Sequence, residues 1–114
     1  MLAKEYLLSG QKTFERVLSG GRFVQAESFG LCFLKKEDGL KSKYGFIVST
    51  KVSKEAVQRN RIKRALSEAV RFLTADIIEG YDVVFLAKQK ATAMSTDKMM
   101  NEVRETLGKA SLLK

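Results

Sequence analysis

The sequence predicts one α/β domain in which helices pack against a single sheet as a two-layer sandwich. Three observations predict this fold class. Helix-like and strand-like segments follow one another in the order helix, strands, helix, strand, helix. The 114 residues suit one domain, and 45% of them are hydrophobic, which is enough for a small core. No repeat, low-complexity segment or linker divides the chain, so we expect residues 1–114 to form a single domain.

The first half of the chain predicts a short helix followed by two or three strands. Residues 11–19 place Phe14, Val17 and Leu18 at helical spacing, and two glycines then stop the pattern. Residues 22–36 carry strand signals, because large apolar residues alternate with smaller ones. The alternating residues are Phe29, Leu31 and Phe33. A polar turn over 35–43, which contains Asp38-Gly39, precedes a strand at 44–49, and we expect an antiparallel meander.

The second half predicts a long helix, a buried strand and a last helix. The long helix covers 53–73, with Ser53 as its N-cap and an apolar stripe of period 3.6. That stripe consists of Ala56, Ile62, Leu66, Ala69, Val70 and Leu73. Residues 81–87 form a continuous strand that we expect to be buried on both faces. Ser95 or Thr96 then caps a helix with Met99, Met100, Val103 and Leu107 along one side.

The composition excludes several kinds of enzyme and favours a polyanionic partner. The chain has no His, which removes the usual general base, and its only cysteine is Cys32. A zinc site, a Ser-His or Cys-His nucleophile and an internal disulfide are therefore not expected. Lys and Arg number 21 against 13 acidic residues, a net charge of +8 that suits nucleic acid. With no apolar run near 20 residues and no signal-peptide pattern, we expect a cytoplasmic protein without a membrane partner.

Much of the positive charge lies on the long helix and its lead-in. Residues 51–71 contain seven basic and two acidic side chains, a net of +5. Arg59 and Lys63 are four residues apart, as are Asn60 and Arg64, and Arg71 continues the second row. Like charges at this spacing destabilise an isolated helix, and a bound phosphate backbone neutralises that repulsion. The alternative is a solvated face that only keeps the protein in solution.

The string Lys51-Val52-Ser53-Lys54-Glu55-Ala56-Val57-Gln58-Arg59-Asn60-Arg61-Ile62-Lys63-Arg64 resembles the motif of the protein subunit of bacterial ribonuclease P. The family carries a Lys-rich lead-in followed by Ala-Val-x-Arg-Asn-Arg-x-Lys-Arg, and order and length agree along almost the whole chain. The resemblance implies an α+β fold of order αβββαβα. It also implies a left-handed βαβ crossover around the basic helix, as in the second domain of a small-subunit ribosomal protein.

The resemblance also implies a function. Family members assist an RNA subunit that removes the 5′ leader from precursor tRNA by Mg²⁺-dependent endonucleolytic hydrolysis. The protein holds no catalytic residue, and the Mg²⁺ is held mainly by the RNA subunit and the substrate. The implied partners are ribonuclease P RNA and precursor tRNA, and no protein partner is required. The protein alone is expected to cleave nothing.

The family's site residues carry over to two groups of positions. The RNA-binding group comprises Lys51, Lys54, Arg59, Asn60, Arg61, Lys63, Arg64 and Arg71. Ser67 stands where many members have a further Arg. Arg71, one helical turn later, is expected to make the RNA contact of that Arg. The leader-cleft group comprises Phe14, Leu18, Gly30 and Cys32. Only Phe14 of three possible aromatics is kept, and the residues themselves also allow a different assignment, with Phe14 and Leu18 in the core and Cys32 an inert apolar residue.

Three other functions fit parts of the sequence. A ribosomal or ribosome-assembly protein suits the composition equally well, and only the Arg-Asn-Arg string separates it from the ribonuclease P subunit. A freestanding nuclease needs clustered carboxylates for two metal ions, and the acidic residues here are scattered. A DNA-binding helix needs a dimer interface or a helix-turn-helix partner, and the sequence predicts neither.

Overall fold

The computed structural model describes residues 2–37 and 41–114 as three helices and four strands, with three short 3₁₀ turns. The order αβββαβα is confirmed. Asp38-Gly39, at the centre of the predicted polar turn, lies outside the described residues. Within the described ranges, no helix is long and apolar enough to cross a membrane. The elements are α1 (Gln11–Gly20), β1 (Arg22–Gln25), β2 (Phe29–Lys35), β3 (Lys43–Ile47), α2 (Ala56–Leu73), β4 (Tyr81–Ala87) and α3 (Thr96–Lys109).

The four strands form one mixed sheet in the order β1-β2-β4-β3. The pairs β1–β2 and β2–β4 are antiparallel, whereas β3 and β4 are parallel and are connected through α2. The prediction of a meander was therefore right for β1 and β2 and wrong for β3. The reason is that β4, which is apolar on both faces, takes the central place between β2 and β3. A parallel pair also requires a crossover connection, which α2 supplies.

The larger core lies between the sheet and the two long helices. The alternating residues Phe29, Leu31 and Phe33 all point to this side, as predicted, and Phe29 and Phe85 pack ring to ring with centroids 5.4 Å apart. From the helices, the same core takes the apolar stripes of α2 and α3. The fully buried members of those stripes include Ile62, Leu66, Val70, Met99, Val103 and Leu107.

A smaller core lies on the opposite face of the sheet, beneath α1. Val17 of α1 contacts the sheet there and forms a cluster with Leu8, Cys32 and Val84. The chain leaves α1 through Gly21, where an added Cβ would lie 2.5 Å from the Val17 carbonyl oxygen. Only glycine fits this close approach, so the end of α1 is fixed against β2.

The basic helix begins later than its sequence predicts. Its first residue is Ala56 and its N-cap is Glu55, whose side chain makes no capping hydrogen bond. Ser53, the predicted cap, instead accepts a hydrogen bond at Oγ from the Glu55 amide at 3.1 Å, and this forms a turn before the helix. Ala56, which was predicted in the apolar stripe, is exposed. At α3, Ser95 is the N-cap and accepts a hydrogen bond from the Lys98 amide, as predicted.

Candidate RNA-binding surface

The outer side of α2 and its lead-in carry several exposed basic side chains. Lys63 and Arg64 are exposed, and neither forms an ion pair within residues 2–37 and 41–114. Because no carboxylate neutralises them there, these charges are available to an anionic partner. We call this surface the α2 basic face, and its exposed members are Lys51, Lys54, Asn60, Lys63, Arg64 and Arg71.

Arg61 lies apart from this face although it belongs to the same motif. Its guanidinium donates to the carbonyl oxygens of Met94 at 3.2 Å, Thr92 at 3.3 Å and Ala91 at 3.4 Å. It also donates from Nε to Oε1 of Gln58 at 3.1 Å. Arg61 therefore attaches α2 to the turn that precedes α3. The RNA contact expected for Arg61 stays a prediction, and most of its donors face acceptors inside the protein.

Arg59 is partly at the surface and partly bound to the protein's own backbone. Its side chain is half-buried and donates from Nη1 to the carbonyl oxygen of Ser53 at 2.9 Å. That contact fixes the lead-in segment, which carries Lys51 and Lys54, against the first turn of α2. Arg59 thus helps to orient two exposed lysines while it keeps part of its own guanidinium at the surface.

Arg71 lies near the end of α2 and has two neighbours on the helix. Its Nε donates to Oε2 of Glu68 at 2.8 Å, and its guanidinium carbon lies 4.7 Å from the centre of the Phe72 ring. Phe72 is 65% exposed. Because Arg71 is already paired with Glu68, a bound phosphate gains less from it than from Arg64.

The predicted cleft residues divide into half-buried and buried side chains. Phe14 and Leu18 are half-buried on one side of α1, and Phe14 covers Gly45 so closely that an added Cβ would overlap its ring. Gly30 is buried and faces the Gln25 side chain. Cys32 is fully buried beneath α1, and its Sγ lies 3.1 Å from the Val17 carbonyl oxygen, to which it donates.

Cys32 therefore cannot contact a ligand in the cleft. Its placement in the leader-cleft group was wrong, because α1 lies directly over the strand at that point. The alternative, an inert apolar residue, agrees with the structure. Burial also raises the pKa of the Cys32 thiol, which keeps it protonated and unreactive.

Three apolar side chains that the sequence did not predict for this site lie on the same sheet face. Ile47 and Leu86 are half-buried and, like Phe14 and Leu18, pack against the small core. Phe23 of β1 is 50% exposed and pairs in register with Cys32, so it points to the α1 side of the sheet. Strand alternation across β1 and β2 was the signal that could have placed Phe23 on this face.

A buried carboxylate lies between two cations where Arg16 of α1 meets the sheet, away from Phe14 and Leu18. Asp82 is almost fully buried; its Oδ2 accepts a 2.9 Å hydrogen bond from Arg16, and its Oδ1 lies 3.5 Å from Nζ of Lys36. These charges tie α1 to the ends of β2 and β4. Across the described part of the chain, no group of three or more Cys, Asp or Glu side chains could hold a metal ion. Its ion pairs with Arg16 and Lys36 give Asp82 a structural role.

The fold and sequence both match known proteins. The family model described as Ribonuclease P matches residues 2–111. A ribonuclease P protein component from Symbiobacterium thermophilum is 36% identical over 112 residues, which cover 98% of this chain and 96% of that relative. One from Dehalococcoides mccartyi is 39% identical over 109 residues, covering 93% and 85%.

A solved structure gives the same result. The RNase P protein of Staphylococcus aureus superposes with a TM-score of 0.89 at 27% identity, covering 97% of this chain and 100% of that one. The match spans the helices, the sheet and the motif-bearing α2 described above. The chain belongs to the ribonuclease P protein family.

Proposed function

We propose that this protein is the protein subunit of the ribonuclease P ribonucleoprotein, an endoribonuclease, and that its α2 basic face binds the RNA subunit. The observation that carries the proposal is the set of exposed cations on α2, of which Lys63 and Arg64 have no acidic partner in the described residues. Family membership supports the partnership with ribonuclease P RNA. In this arrangement Arg61 positions α2, and Lys63 and Arg64 contact phosphates.

Counterion release predicts how the affinity for RNA depends on salt concentration. Lys51, Lys54, Lys63 and Arg64 are exposed and together can neutralise about four phosphates. The logarithm of affinity should then fall with the logarithm of salt concentration at a slope of roughly −3 to −4. Asn60 adds a neutral side chain that can donate to phosphate or base edges without changing this slope.

We further propose that the cleft beside α1 holds the single-stranded 5′ leader of precursor tRNA. Phe14 and Leu18 form one wall, and the half-buried Ile47 and Leu86 form an apolar floor. Phe23 gives a second exposed ring on this sheet face. Bases can stack on such rings whatever their sequence, because every base offers a π-face. Gly30 lies beneath the Gln25 side chain, so any part it plays in the cleft is indirect.

In this proposal the protein positions RNA and performs no bond-breaking step. We assign the Mg²⁺ that the hydrolysis requires to the RNA subunit and the substrate, as the family resemblance implies. The positive side chains offset phosphate repulsion between the two RNAs, and this lowers the magnesium concentration that their association needs. The cleft adds affinity only for substrates that still carry a leader.

Binding measurements with purified protein test the proposal. The wild-type protein should bind a bacterial ribonuclease P RNA with the salt slope given above. The Lys63→Ala/Arg64→Ala protein should bind more weakly with a slope about two units flatter, because two phosphate contacts are lost. A Lys12→Ala control, which removes an exposed lysine on α1, should retain the wild-type slope. An unchanged slope in the double variant would place the RNA on another surface.

A further inference from the structure

Phe72 is an aromatic ring held in the open at the end of α2. It is 65% exposed, and it borders a groove of about 550 Å³ between α2 and α3. The groove has an apolar floor of Ala69, Leu73 and Met100 and a polar rim on α3. The rim consists of Asp97, Asn101 and Arg104.

One cation lies against this ring and another lines the groove beside it. The Arg71 guanidinium is 4.7 Å from the ring centre, and Arg104 lines the opposite side of the groove. Arg71 also belongs to the α2 basic face, two helical turns after Arg64. The groove is therefore continuous with the surface proposed to bind RNA. An exposed aromatic ring flanked by arginines is a composition that suits a base between two phosphates.

The apolar area is too small for a protein partner. Ala69 and Leu73 are buried and expose almost nothing, so the ring of Phe72 is the main apolar surface at this site. The centre of a stable protein interface consists of several apolar side chains, more than one exposed ring provides. A single planar ligand matches one exposed ring.

We propose that Phe72 and the α2–α3 groove bind an unpaired nucleobase of the RNA that the α2 basic face holds. The base stacks on Phe72, the Asn101 amide and the Asp97 carboxylate can hydrogen-bond its edge, and Arg104 neutralises a neighbouring phosphate. This inference rests on the proposed function and adds a second kind of contact, stacking, to the phosphate contacts of α2. It separates the role of Phe72 from that of the basic residues around it.

The test uses the full-length protein and a bacterial ribonuclease P RNA as the probe, with affinity measured at several salt concentrations. Phe72→Ala and Phe72→Leu should each weaken binding roughly 5- to 10-fold, because neither side chain can stack. Phe72→Trp should bind at least as tightly as wild type. All three should keep the wild-type salt slope, since stacking releases no counterions. Gln11→Ala, a control at an exposed side chain of α1 outside this surface, should change nothing.

A second measurement keeps the test independent of variant stability. Wild-type protein irradiated with 4-thiouridine-substituted RNA should give a crosslinked peptide that contains Phe72. Wild-type affinity in Phe72→Ala or in Phe72→Leu would overturn the inference, as would crosslinks confined to other peptides. If Phe72→Ala bound RNA normally but abolished self-association in sedimentation, the groove would be a protein interface and the inference would be wrong. Failure of the wild-type protein to bind the RNA would refute the proposed function itself.

Discussion

Arg61 and Arg64 belong to one motif but have different surroundings. Arg61 donates hydrogen bonds inside the protein, whereas Arg64 is exposed. Arg61→Ala removes a guanidinium that donates to three backbone carbonyl oxygens at 3.2–3.4 Å. These are long contacts, so we take the low end of hydrogen-bond energies and expect a loss of about 2 kcal/mol in the free energy of unfolding. For a domain of this size, that loss lowers the melting temperature by about 8 °C.

Arg64→Ala is the matched control, because its side chain is exposed and has no hydrogen-bond partner in the described residues. Thermal unfolding followed by circular dichroism should show little change for this variant. Its salt slope for binding ribonuclease P RNA should be about one unit flatter, whereas the slope for Arg61→Ala should stay near that of wild type. An Arg61→Ala protein with an unchanged melting temperature and a flattened slope would refute the assignment.

Three further predictions concern the α1 side of the sheet and the core. Phe14→Ala should weaken precursor tRNA binding by about 1–2 kcal/mol in a filter-binding assay and leave mature tRNA binding unchanged; equal losses would contradict a leader contact. Cys32 should resist a thiol-specific reagent at pH 8 until the protein is unfolded, and rapid labelling of the folded protein would contradict its burial. Cys32→Tyr should lower the melting temperature, because α1 leaves no room for the ring. Burial raises the pKa of Tyr44 to about 12. The neutral Tyr44 side chain therefore contributes fully to the free energy of unfolding below about pH 10, the pKa of an unfolded tyrosine, and this contribution is lost as the pH rises through 12. Absorbance at 295 nm should show this late ionisation, and Tyr44→Phe should remove it.

Sequence periodicity was sufficient for the elements but not for their arrangement. The alternation of Phe29, Leu31 and Phe33 placed all three on one face because side chains in a strand alternate with a period of two. The position of β4 between β2 and β3 depends on long-range pairing, which no local pattern encodes. The start of α2 was misplaced because Ser53 is an equally good residue for a turn, and the structure uses it in one.

The candidate site shows the same division. The motif located the basic helix, and Lys63 and Arg64 are exposed as the pattern indicated. Sequence could not separate Arg61 from Arg64, since the difference depends on which carbonyl oxygens of another segment come within reach. Cys32 was assigned to the correct sheet face, but the helix that covers it crosses from elsewhere in the chain. Whether a strand residue is buried by a helix from another part of the chain depends on tertiary structure, which local sequence patterns do not encode.

We propose that the cations of α2 allow ribonuclease P RNA to hold its substrate at low magnesium. The most direct measurement is cleavage of precursor tRNA by a bacterial ribonuclease P RNA, with wild-type or Lys63→Ala/Arg64→Ala protein, at low and at high Mg²⁺. We predict that wild-type protein restores cleavage at low Mg²⁺ and that the double variant does so only when Mg²⁺ is raised. We also predict that RNA-free protein cleaves nothing. Equal rescue by the double variant at low Mg²⁺, or cleavage by RNA-free protein, would contradict the account.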